Sequence, residues 1–213
     1  MTEKVALSEN PRVTDLVAAH AQNLAPAFSH PTYRVRRPWL SIFGRKYHIF
    51  APDGSLVAFV KHPLFKMREQ FTIFTDETET TPLIHMKSRQ IVAINRCIDV
   101  FDAPTGEKVG TIRTRGLKSM IRDTWDILDQ NDAVVGIMEE QGAALLRRFL
   151  KFLPGRHKID IGGTTVATLR QPFRFFIKEL QLDLSMAQGR IDSRFAMSCA
   201  VLALMAEARR EQS

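Results

Sequence analysis

From Lys46 onward, short runs of alternating or β-rich residues are broken at regular intervals by aspartate, asparagine, glycine and proline, the pattern of strands joined by tight turns. Tyr47-His-Ile-Phe-Ala-Pro-Asp53-Gly54-Ser-Leu-Val57 reads as strand, turn, strand, and Ile98-Asp-Val-Phe-Asp102-Ala-Pro-Thr-Gly106-Glu-Lys-Val109 has the same form. Trp125 to Val135 and Lys158 to Val166 repeat it around Asp129–Asp132 and Gly162-Gly163, and a weaker copy joins Phe71–Thr75 to Pro82–Met86. Aspartate and asparagine suit such turns because their side chains bond nearby backbone; glycine suits them because it accepts positive φ. Further strands are expected near Arg34, ended by Pro38, near Arg113, and over the strictly alternating Leu180-Gln-Leu-Asp-Leu184, about 11 to 13 in all.

One stretch departs from this pattern. Asp192 to Arg210, DSRFAMSCAVLALMAEARR, is apolar on every helical face between Phe195 and Ala206, so it must be enclosed on all sides. Twelve residues of helix reach only about 18 Å, well short of a bilayer core of about 30 Å, which predicts a buried core helix. Asp192 or Ser193 can cap its start, and Arg209 and Arg210 complement the dipole at its end. A helix about 10 Å across does not fit in an eight-stranded barrel, whereas eleven or more strands can close around it and leave no sheet edge. The expected fold is mostly β, α+β in class: a closed antiparallel barrel around a central hydrophobic C-terminal helix.

Ahead of the barrel, Asn10-Pro11 forms an N-cap pair, and Val13, Leu16, Val17 and Leu24 keep a helical spacing. Residues 1–30 are thus read as a helix and connector, and residues 31–213 as the barrel domain. The opening MTEKVALSEN lacks the basic and apolar segments of a secretory leader, and no transmembrane helix is expected. Cys97 and Cys199 are far apart in the sequence and are read as free thiols of a reducing compartment, which places the protein in the cytoplasm.

The net charge of +7 is unevenly placed. Residues 141–178 carry eight basic residues against Asp160 alone, residues 30–74 eight against two, and residues 75–140 eight against twelve acidic. Basic regions of this kind concentrate anionic partners. Within Gln141 to Lys158, QGAALLRRFLKFLPGRHK, leucines and phenylalanines interleave with Arg147, Arg148 and Lys151 at helical spacing, ahead of Pro154-Gly155 and then Arg156 and Lys158. Two readings stand side by side: a connector whose apolar face packs on the barrel, and a surface helix lying on an anionic membrane.

Candidate chemistry is sparse. The six histidines are dispersed without zinc-site spacing, and no Gly-x-Ser-x-Gly elbow appears. Gly162-Gly163 sits in a hairpin rather than before a phosphate-binding helix. Asp99 and Asp102 read as outward strand and turn residues, and Trp125 as part of the barrel wall. No catalytic residue, metal or cofactor is expected, and no enzyme activity.

The hairpins Tyr47-His-Ile-Phe-Ala-Pro-Asp-Gly and Ile98-Asp-Val-Phe-Asp, the late Leu180-Gln-Leu-Asp-Leu, and Ile191-Asp-Ser-Arg-Phe-Ala running into Ala-Val-Leu-Ala-Leu together resemble the LURP-one-related and phospholipid scramblase-like proteins over about residues 31–210. The resemblance implies a tubby-like fold, a twelve-stranded antiparallel barrel around a hydrophobic C-terminal helix. With no catalytic residue in the sequence, the leading reading is a non-enzymatic binding or scaffold protein of this type. The wider group includes phosphoinositide-binding tubby proteins and scramblases linked to lipid movement, although the proline-rich start and clustered cysteines of scramblases are absent here. The expected partner is anionic phospholipid, bound peripherally through Arg147, Arg148, Lys151, Arg156 and Lys158; the alternative is nucleic acid or a protein on the same basic surface.

Overall fold

The computed structural model describes residues 26–38, 45–62, 70–89, 96–115, 124–141, 155–172 and 177–210. The N-terminal helix expected around Val13 to Leu24 lies outside the described residues. After a 3-10 turn at Pro26–Phe28 come twelve strands: β1 (Thr32–Pro38), β2 (Arg45–Phe50), β3 (Leu56–His62), β4 (Gln70–Phe74), β5 (Pro82–Ser88) and β6 (Cys97–Asp102), then β7 (Lys108–Thr114), β8 (Thr124–Leu128), β9 (Val134–Glu140), β10 (Arg156–Ile161), β11 (Thr164–Arg170) and β12 (Ile177–Asp183). The helix α1 (Ser193–Arg210) follows. Each strand pairs antiparallel with its neighbours in sequence, and β12 closes on β1, so the sheet is a closed up-and-down barrel.

All five hairpins foreseen from the turn residues are present, as β2–β3, β4–β5, β6–β7, β8–β9 and β10–β11. The separate strand expected near Arg113 is instead the continuation of β7, which runs unbroken from Lys108 to Thr114. The side chain of the first turn aspartate organises four of these turns: Asp53 accepts the Ser55 amide, Asp76 that of Thr78, Asp102 that of Thr105 and Asp129 those of Asn131 and Ala133. The fifth turn is Gly162-Gly163, with φ of 56° and 78°, the two positive values a two-residue type I′ turn requires.

Every hairpin also carries a register shift: opposite the steps Ile49/Phe50, Ile73/Phe74, Val100/Phe101, Ile127/Leu128 and Ile159/Asp160 its second strand holds one extra residue, Val57, Leu83, Val109, Val135 and Val166 in turn. Such bulges bend a strand and increase its twist, which a sheet needs to close on itself. In four cases the partner just before the shift is small: Ala58, Gly110, Gly136 or Ala167. At Gly110 a Cβ would stand 2.8 Å from the Phe195 ring of α1 and from the Leu128 carbonyl, and at Gly136 it would meet the Asp160 carbonyl at 2.2 Å. These positions let the wall approach the helix and the neighbouring strand.

α1 occupies the lumen and is buried on every face from Arg194 to Met205. Inward side chains such as Tyr47, Ile49, Val60, Ile73, Met86 and Ile159 close around it. Charged residues such as Arg34, Arg36, Lys46, Lys61 and Arg156 stand on the outer face, the reverse of a membrane-spanning barrel with its apolar outer band. No helix among the described residues is long and apolar enough to cross a membrane. Asp192 caps α1: its Oδ1 accepts the Arg194 amide, and its carbonyl accepts the Ala196 amide, the first bond of the helix. Asp102, expected to face outward, is instead largely covered, because Arg194 pairs with it at 2.9 Å and joins the helix start to the β6–β7 turn.

Candidate functional site

An up-and-down barrel sorts its connections into two sets. The tight turns 51–55, 75–81, 103–107, 129–133 and 162–163, together with the link 184–192 into α1, all leave the end at which the helix begins. They carry eight acidic residues against Arg190 as the sole basic one. The opposite strand ends are joined by segments that include residues 39–44, 63–69, 90–95, 116–123, 142–154 and 173–176, with eight basic residues against Glu69 and Asp123. Large apolar residues, such as Trp39, Phe65, Ile121, Phe149 and Phe175, interleave with those cations. By connectivity the sequence thus has a charge axis: acidic in the turns where the helix starts, and basic with apolar residues in the links between the opposite strand ends, which lie outside the described residues.

Arg147, Arg148 and Lys151 fall in the segment joining β9 to β10 and lie outside the described residues. Arg156 begins β10 and is exposed, while Lys158, two residues on, is held by Asp160 at 2.6 Å and Glu139 at 3.3 Å. Hydrogen bonds from its ammonium to those two carboxylates raise the Lys158 pKa. Lys158 is therefore a cation already matched by its neighbours, whereas Arg156 projects outward.

Most other cations of the outer wall are matched as well. Arg36 pairs with the buried Glu179, Lys46 with Glu77, which also meets the His48 ring at 2.9 Å, Lys61 with Glu79, and Arg113 and Arg115 with Asp126. Arg89 joins Asp99 to Asp132, with Thr111 and Lys108 completing the cluster. Burial would raise the Asp99 carboxyl, but hydrogen bonds from Arg89 and Thr111 and the Arg89 charge together hold it below its ordinary range. Hydrogen bonds from Arg89 and then Lys108 likewise hold Asp132 well below it.

A different arrangement appears where β1, β12, β11 and β10 run side by side. Their register places Arg34 beside Gln181, Gln181 beside Arg170, and Arg170 beside Arg156, in one row across the outer face. None of the three arginines is ion-paired among the described residues; Arg34 makes only a long 3.4 Å bond to the Ala51 carbonyl. The adjacent row runs Thr32, Asp183, Thr168, Lys158. Between the two rows and Pro52 lies a concavity of about 410 Å³, lined by Arg34, Arg170, Gln181, Asp183, Thr32 and Thr168. Its floor is formed by Tyr33 and Leu182, both buried beneath it, and burial pushes the Tyr33 phenol up to about 12 despite the hydrogen bond that the His30 amide donates to it.

Sequence reasoning singled out Arg156 but not Arg34, Arg170, Gln181 or Asp183. Their alternation marks them as outward residues of three strands, but register, which no short motif encodes, is what brings them together. Elsewhere, Cys199 is fully buried in α1 with its thiol pushed up by burial, and Cys97 is a free thiol at the start of β6. His157 is buried beside the Trp125 ring. Among the described residues no three His, Cys, Asp or Glu side chains come together as a metal site.

A family model described as LURP-one-related matches residues 56–204, from β3 to the body of α1. No curated protein matches the chain. Among solved structures, a protein of Arabidopsis thaliana is similar at 14% identity and a TM-score of 0.46, over 85% of this chain and 94% of that one.

Proposed function

This chain belongs to the LURP-one-related family, and we propose that it is a non-enzymatic module that docks peripherally on anionic phospholipid through the basic end of its barrel. The observation that carries this reading is the charge axis: acidic turns at the helix's start, and eight basic residues interleaved with large apolar ones in the segments joining the opposite strand ends. A dipolar body of this kind is oriented by a negatively charged surface before contact. Once oriented, cations meet headgroups while apolar side chains enter the acyl boundary, each basic residue contributing about 1 kcal/mol near an anionic leaflet.

In this reading Arg147, Arg148 and Lys151 belong to the contact surface, Arg156 stands at its margin, and Lys158 serves the wall. The aliphatic residues among the interleaved apolar ones, such as Leu64, Ile121, Leu145 and Leu146, favour a membrane over nucleic acid, for which cations and stacking rings would suffice. Among the described residues the lumen is filled by α1, so the proposed activity is binding at a surface rather than passage of lipid through the barrel. Flotation of the intact protein with vesicles of neutral lipid and of neutral plus acidic lipid at low salt tests it. The protein should rise with the acidic vesicles only; failure to rise with either would remove the proposal.

A further inference from the structure

The concavity between β1, β12 and β11 presents charges of both signs, neither of them ion-paired among the described residues. On one side Arg34 and Arg170 bracket Gln181. They sit two strands apart, about 10 Å between backbones, so two long guanidinium side chains can converge on one oxyanion. On the other side Asp183 stands between Thr32 and Thr168. Its Oδ1 accepts the Ser185 amide at 2.9 Å, and among the described residues no basic side chain is paired with it. Gln181, which lines the concavity between the two arginines, donates a long 3.4 Å bond to Glu179.

A phosphate dianion fits the arginines but would be repelled by Asp183, whose carboxylate lines the same space. A ligand with an anion at one end and a cation at the other satisfies both. Asp183 and Gln181 are two residues apart on β12, about 7 Å along the strand. A dipeptide, itself two residues long, spans about the same distance at full extension. We propose that this concavity binds a zwitterion of dipeptide size, its carboxylate between Arg34 and Arg170 and its ammonium at Asp183, with Thr32 and Thr168 hydrogen-bonding the peptide link. The site is on the wall, apart from the basic end, and does not depend on membrane binding.

Calorimetric titration of the full chain with alanyl-alanine, its N-acetylated form, its C-terminal amide and inorganic phosphate tests this. Alanyl-alanine should bind saturably, and blocking either terminus should weaken it about tenfold or more, since each removes a charge-assisted contact. Arg170→Gln should weaken alanyl-alanine and abolish its advantage over the amide. Asp183→Asn should abolish its advantage over the acetylated form. Both substitutions are on the outer face, and an unchanged circular dichroism spectrum confirms the fold. Absence of saturable binding, phosphate binding as tightly as the dipeptide, or both variants behaving as wild type would each overturn the proposal.

Discussion

Arg194 is the residue on which the helix and the barrel depend together. Its guanidinium pairs with Asp102 at 2.9 Å and with Asp192 at 2.6 Å, and it is 6% exposed. Burial opposes its charge, but the two carboxylates outweigh that and raise its pKa. Arg194→Met leaves Asp102 covered without its cation, and removing one partner of a buried pair typically costs about 3 to 5 kcal/mol. Urea denaturation should show a loss of that order. The acidic partners predict a pH dependence. Asp99, Asp102 and Asp132 all titrate below their ordinary values in the folded chain. The unfolded chain therefore binds protons first as pH falls, so the stability from these groups is complete above about pH 4 and is lost progressively below it. Urea midpoints across that range should fall toward acid, and Asp99→Asn should reduce the neutral-pH midpoint while flattening the fall.

At the scale of elements, the repeated unit is a hairpin with an aspartate or glycine turn, a bulge in its second strand and, in four of five, a small residue just after that bulge. Gly110→Ala pushes a methyl against Phe195 and the Leu128 carbonyl, and should destabilise by about 1 to 3 kcal/mol, measured as a lowered denaturation midpoint. Removing α1 by truncation at Gly189 empties the lumen. Its larger apolar side chains contribute roughly 1.5 to 3 kcal/mol each when buried, together comparable with the whole stability of a domain. The truncated chain should fail to fold; a native-like circular dichroism spectrum from it would contradict the role given to the helix. The hairpins and the core helix were legible in the sequence because turn aspartates, glycine pairs and an all-apolar helical face each have a local cause. The bulges were not, since a bulge is a mismatch between two strands. Nor was the extent of β7, whose polar Thr111 is buried by Asp99 from the neighbouring strand.

The whole molecule carries two properties that no single element has. One is the charge axis, which follows from up-and-down topology: alternate connections join opposite strand ends, and in this sequence the tight turns are acidic and the longer links basic. The other is the arginine row, assembled from β1, β11 and β10 only when the barrel closes. The basic segments were visible as composition, but their gathering at one end required the strand order. The charge axis makes a directional claim. Flotation on acidic vesicles should be lost when Arg147, Arg148 and Lys151 are all changed to glutamate, and kept when Arg190 at the acidic end is changed to glutamate. Retained flotation of the triple variant, or equal loss in both, would contradict binding through the basic end.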